Sequence, residues 1–323
     1  MDKVRKKKRG VQFLQYDYEA AYNKSIEDMD EWFIENMLKH RKKVVYALKE
    51  ITAGEQFEVE IYPQFRSMEE VPEEGRRIKK DNSKAQKNLN DKNARKYVER
   101  LINNNFGNGD LWITLTYDDG HLPPDGDIDA ALKNMQNYIR RVNYQRKKRG
   151  LGKCKYVYVT EYNPREKIRW HHHIVMDGEM DMDMVEKCWK QGSRNEIRRL
   201  EKDENGLSGI ANYIVKEKER AKSEKRWNSS QGLSNPDIKV VHSKKPEANK
   251  GSYKKIGSFV DGMVKDRDSI PEILKKWYPD MDFTNANVYY NDFNCMFYLH
   301  ARMRKRRLQS EKTEKTGKTC RTT

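Results

Sequence analysis

Two alternating segments joined by a short turn constrain this chain more than any other feature. "KYVYVTEY" (155–162) alternates apolar and polar residues with strong β-formers, and "WHHHIVM" (170–176) does the same. Only "NPREKI" and one arginine separate them, a turn too short for a crossover. The two strands must therefore pair as an antiparallel hairpin. Around them the order continues as a strand "LWITLTY" (111–117), a helix from Asp127 to about Lys148, the hairpin, and helical patterns over 181–190 and 206–220. A β-α-β-β-α-α series of this kind predicts an α+β fold, with a central antiparallel sheet flanked by helices.

Outside this segment the chain is polar. Residues 26–50 carry a helical recurrence through Met29, Trp32, Phe33, Met37 and Leu38. "FEVEIYP" (57–63) reads as a short strand, residues 66–92 as a linker or exposed loop, and 94–107 as a helix. Past residue 220 the sequence reads as basic and loop-like, with one further helical or extended element within 270–305. The expected organisation is a loose basic N-terminus (1–25), a helical and strand region (26–105), a central catalytic domain (106–220), a basic C-terminal region (221–305) and a disordered basic tail (306–323).

Composition narrows the partners. The net charge is +16, from 66 Lys and Arg against 50 Asp and Glu, which suits a polyanion such as DNA. Four scattered cysteines lack metal-ligand or disulfide spacing and fit a reducing cytoplasm. No apolar run is long enough to span a bilayer, so no membrane partner is expected.

The histidine run carries the chemistry. Side chains at i and i+2 of a strand share a face, so His171 and His173 point one way and His172, Ile174 and Met176 the other. Two imidazoles on one rigid face make a platform for a divalent ion. If the hairpin pairs as drawn, Glu161 adds a carboxylate beside them. Such a set accepts Mg²⁺, Mn²⁺ or Zn²⁺. About forty residues on, Tyr213 and Lys216 stand three apart in "GIANYIVKE", on one side of a helix. A phenol beside an ammonium is a weak signal alone. Next to a metal it completes the parts for phosphodiester transesterification.

"WITLTY", "HHHIVM" and "YIVK", in that order, resemble the three motifs of HUH endonucleases. The closer likeness is to the rolling-circle replication initiators of small plasmids and single-stranded DNA phages, since in the conjugative relaxases the tyrosine comes first. The resemblance covers roughly residues 106–235, including the segment "KRWNSSQGLSNP". It implies an RRM-like catalytic sheet, His171, His173 and Glu161 as ligands of Mg²⁺ or Mn²⁺, Tyr213 as the nucleophile, and Lys216 as the assisting lysine. It also implies a single-tyrosine nickase that leaves a 5′-phosphotyrosine and a free 3′-OH, with a host helicase and polymerase as partners. The middle position departs from the family pattern, because His172 stands where an apolar residue is expected, and this leaves a second rotation of the strand open. DNA contacts are expected from Thr114, Thr116 and Tyr117 on the first-motif strand. A basic cluster with Arg140, Arg141 and Arg146, and the run Lys225, Arg226 and Trp227, are expected to add to them. No phosphate-binding GxxxxGK[ST] loop occurs, which excludes a fused P-loop helicase. A non-catalytic DNA-binding regulator on a degenerate fold, and a single-strand transposase of the same superfamily, are the competing readings.

Overall fold

The computed structural model describes residues 23–40, 45–64, 83–214, 227–242, 256–291 and 294–306. In chain order the strands are β1 (Asn23–Ser25), β2 (Val45–Ala53), β3 (Gln56–Gln64), β4 (Leu111–Thr116), β5 (Tyr156–Asn163), β6 (Ile168–Met176), β7 (Glu196–Arg199), β8 (Asn228–Ser229), β9 (Asp237–His242), β10 (Met281–Asn291) and β11 (Met296–Lys305). The helices are α1 (Glu31–His40), α2 (Ser83–Asn105), α3 (Ile128–Lys148), α4 (Met182–Lys187), α5 (Ser208–Ile214), α6 (Ile256–Lys265) and α7 (Ile270–Trp277). The fold is α+β, built on antiparallel sheets flanked by helices. Among the described residues no helix is long and apolar enough to cross a membrane.

The central sheet has the order β7-β4-β6-β5-β8. The β5–β6 pair is the hairpin the sequence requires. Asn163 accepts from the Arg165 amide at its turn, and Lys167 adopts the left-handed conformation (φ 57°) that reverses the chain. Both faces of this sheet are covered. Leu111, Ile113 and Leu115 of β4 pack with Ile174 and Met176 against Met135, Tyr138 and Val142 of α3. On the other face, Trp112, Val157, Val159 and Val175 pack against Val98, Leu101 and Ile102 of α2 and Ala211 and Ile214 of α5. Asp127 caps α3 by accepting from the Ala130 amide, and three basic residues occupy its last turn.

A second sheet, of six strands in the order β1-β10-β11-β3-β2-β9, is assembled from the two ends of the chain. One face buries Tyr46, Leu48, Val59 and Ile61 against α6 and α7. This sheet changes several expectations. The helical recurrence over 26–50 is a helix only to His40, and from Val45 the chain is a strand, since Tyr46, Leu48 and Ile51 fill a sheet interior. The stretch read as a linker over 66–92 already belongs to α2 from Ser83, whose first half lacks an aliphatic stripe and so shows no period. The region past residue 220 supplies β8, β9, α6, α7, β10 and β11. Residues 1–22, and the tail from residue 307, lie outside the described residues.

Candidate metal and tyrosine site

The pairing of β6 with both neighbours builds the site. Glu161 stands opposite His171 on β5, and Thr114 opposite His173 on β4. Because i and i+2 share a face, His171, His173, Glu161, Thr114 and Trp112 all project from the side that carries α2 and α5. The rotation of β6 is thereby fixed. His172 points the other way and is fully buried.

Three ligand atoms converge. His171 Nε2 lies 3.0 Å from His173 Nε2 and 3.4 Å from Glu161 Oε2. The outer nitrogens are held as well. His171 Nδ1 donates to the Arg169 carbonyl at 2.8 Å, which leaves Nε2 as the ring nitrogen that faces His173 and Glu161. His173 Nδ1 meets the Thr114 hydroxyl at 3.2 Å. Two imidazole nitrogens and a carboxylate oxygen, oriented from behind by a carbonyl and a hydroxyl, match the donor set of a divalent cation. Glu161 and His173 are buried, while His171 is partly open to solvent.

Tyr213 reaches this face from α5. Its ring stands 4.9 Å, centroid to centroid, from that of His173 and nearly perpendicular to it. Trp112 lies beside both rings, stacked on His173 at 5.3 Å and edge-on to Tyr213 at 5.8 Å. Tyr213 keeps 47% of its surface exposed. Lys216 lies outside the described residues.

His172 explains the departure from the apolar middle position. Its Nε2 pairs with the Tyr117 hydroxyl at 2.8 Å and its Nδ1 with the Thr160 hydroxyl at 2.9 Å, beside Trp189. Burial, with the neighbouring His171 and His173 charges, holds it well below the usual histidine range, so it is a neutral core group. The three histidines therefore divide between two environments.

Several residues expected to touch DNA are placed elsewhere. Tyr117 is a core residue on the His172 side, its hydroxyl pushed up to about 12 by burial. Arg146 is buried and held by Asp177 and Glu179, so its charge is spent inside the fold. Arg141 donates to the Cys188 carbonyl at 2.6 Å, and Arg140 is exposed on the same helix. All three belong to α3, on the sheet face opposite the triad. Thr114 orients His173, and the Thr116 hydroxyl donates to the Arg194 carbonyl at 2.5 Å. Trp227 packs at the rim of the α2 core, 6.2 Å from Tyr97. Lys225 and Arg226 lie outside the described residues. The sequence reading missed Trp112, although its place two residues before Thr114 puts it on the ligand face.

Among the described residues a second group with metal-ligand spacing is Glu58, Glu60 and His300 on the outer sheet. Arg100 of α2 grips Glu58 at 3.1 and 2.8 Å and Glu60 at 2.8 Å. Lys49 and Lys96 hold Glu60, and His300 meets Glu58 at 2.9 Å. Burial by itself raises both carboxyls. The hydrogen bonds from His300 and Arg100 at Glu58, and the Lys96, Lys49 and Arg100 charges at Glu60, outweigh it and hold both far below the usual range. With these bases already around two carboxylates, no negative charge is left for an ion. This cluster is an ionic clamp between α2 and the outer sheet.

Residues 110–218 match the family model of the replication-associated protein of the ORF2 and gene II protein type. That span holds β4, the β5–β6 hairpin, Tyr213 and Lys216, so the resemblance to replication initiators holds over the segment that carries the triad. No curated protein and no solved structure matches the chain. The matched segment ends at residue 218, and all six strands of the outer sheet lie outside it.

Proposed function

We propose that this protein is a rolling-circle replication initiator that nicks one DNA strand at an origin. One observation carries the reading: a half-exposed tyrosine stands against a ligand histidine of a two-imidazole, one-carboxylate triad. The reaction is transesterification. Tyr213 Oη attacks the scissile phosphorus, the bond from phosphorus to the 3′ oxygen breaks, and that oxygen leaves with a proton. The products are a 5′-phosphotyrosine and a 3′-OH that a polymerase can extend. Reversal of the same step by a 3′-OH rejoins ends at termination.

The residues divide the work. His171, His173 and Glu161 would hold Mg²⁺ or Mn²⁺, whose chemistry is to draw charge from a phosphate oxygen. Trp112 and Thr114 fix the ring of His173. Lys216 carries the positive charge that favours the phenolate. DNA reaches the face as a single strand, and unwinding falls to a host helicase.

The test is a denaturing gel of protein incubated with single-stranded origin DNA and Mn²⁺ or Mg²⁺. A slow protein–DNA band that needs metal is expected, and it should vanish in Tyr213→Phe and in the His171→Ala/His173→Ala double variant. Cleavage without an adduct would mean hydrolysis by water. Binding with neither would mean a DNA-binding regulator.

A further inference from the structure

The run Asn103, Asn104 and Asn105 at the end of α2 is polar where a helix terminus needs only one cap, and its side chains together grip three other parts of the chain. Asn103 is buried. Its Oδ1 accepts from the Leu207 amide at 2.8 Å, one residue ahead of α5, while its Nδ2 donates to the Glu99 carbonyl at 3.1 Å. Asn104 Oδ1 accepts from the Gly54 amide at 3.0 Å, in the turn between β2 and β3. Asn104 Nδ2 donates to the carbonyls of Ser234 and Asn235. Asn105 closes on the same loop through both the amide and the carbonyl of Ser234. Three consecutive side chains thus join the tyrosine helix, a hairpin of the outer sheet and the loop that leads into β9.

The contact is tight from the other side as well. Asp203 to Gly206 form a closed turn, with reciprocal backbone bonds of 3.1 Å. Gly206 has φ +71°, and any side chain there would overlap Asn103 Oδ1 and stand 2.9 Å from Gln56 Nε2 at the start of β3. Gly54 has φ +63°, and a side chain there would run into the Asn103 carbonyl. Two glycines are therefore required where the β2–β3 turn, α2 and the entry to α5 meet. Further along α2, the Arg100 clamp on Glu58 and Glu60 fixes the same helix to the same sheet.

We infer that the asparagine run is a positioning device through which the outer sheet sets the approach of Tyr213 to the metal triad. The described turns of α5, Ser208–Ile214, take their place from packing rather than from their own hydrogen bonds. Its apolar side rests on α2 through Ala211 and Ile214, and Asn103 fixes its entry. The hydrogen bonds of Asn103 go to Glu99 and Leu207, so it acts on Tyr213 through the helix. The inference rests on the proposed role of Tyr213, but its first readout does not.

That readout is amide hydrogen exchange on the full-length protein without metal or DNA. In Asn103→Ala the amides of 207–214 should exchange about tenfold faster, from loss of one buried hydrogen bond. Exchange in β5 and β6 should be unchanged. Asn104→Ala, which touches α5 nowhere, should speed the same amides by a smaller factor. The second readout is adduct formation. Asn103→Ala should lower the maximal rate by about 10- to 100-fold, as misplacement of a reacting group does. The half-saturating DNA concentration should stay within about twofold of wild type, as expected when an interaction serves only the reacting state. Unchanged exchange at 207–214 in both variants would overturn the inference, and so would faster exchange with a wild-type adduct rate. If the wild type makes no adduct, the nicking reading fails while the exchange result still decides whether the junction holds α5.

Discussion

Single side chains behind the triad decide how well it can hold an ion. Thr114 sits behind His173 and contributes one hydroxyl. Thr114→Val preserves shape and removes the partner of Nδ1, so the ring can turn. Loss of such an outer partner lowers metal affinity by roughly 10- to 100-fold. Titration calorimetry with Mn²⁺ should show that drop with little change in unfolding midpoint. Trp112 has a different role, since it is buried and supports both His173 and the α2 core. Trp112→Ala should cost about 3–5 kcal/mol in chemical denaturation, and Trp112→Phe, which keeps a ring against His173, should cost much less. That His171 and His173 share a face was legible, because side chains alternate along a strand. The fate of Arg146 was not. Its partners Asp177 and Glu179 lie over thirty residues away in sequence, and a cation inside a basic run looks solvated until the fold brings the carboxylates to it.

At the level of elements, α2 is the piece on which both sheets depend. Its apolar side covers the triad face of the central sheet, and Arg100 on another side enters the outer sheet between Glu58 and Glu60. Removing one member of such a buried set leaves charges without partners. Glu58→Gln should therefore destabilise the protein by about 3–5 kcal/mol. The same group predicts the response to acid. A carboxyl held below its ordinary value adds stability that is complete above about pH 4.5, the value of the unfolded chain. That stability is lost as the pH falls toward the folded value. Unfolding midpoints should drop steeply below pH 4.5 in the wild type and less steeply in Glu58→Gln, and parallel curves would contradict the clamp. Nothing local announces this role. "FEVEIYP" alternates like any half-buried strand, and only its pairing with β11 and the crossing of α2 show that the glutamates face inward.

The whole molecule has its central sheet within a continuous stretch and its outer sheet divided between the two chain ends. Local patterns suffice for the first, because β4, β5 and β6 follow one another within 66 residues (111–176) and a short turn dictates the pairing. They do not suffice for the second, where β2 pairs with β9 and β3 with β11 across more than half the length of the chain. Strand partners so remote leave no trace in periodicity, and β9 alone looks like one more basic loop. This division predicts how the chain can be cut. A fragment of residues 106–220 loses α2 and leaves Trp112, Val157, Val159 and Val175 without their cover. It should melt without cooperativity and bind an apolar dye. A fragment of residues 83–236 keeps α2, all five strands of the central sheet and the loop that Asn104 and Asn105 hold. In it Arg100 faces water, where a lone cation costs little, unlike the same arginine left unpaired in the intact protein. This longer fragment should unfold in one cooperative thermal transition and retain Mn²⁺ binding. Its α5 amides should exchange faster than in the full chain, since Gln56 of β3 no longer stands against Gly206 and Gly54 no longer holds Asn104. Cooperative folding of the shorter fragment would mean that α2 is dispensable to the central sheet.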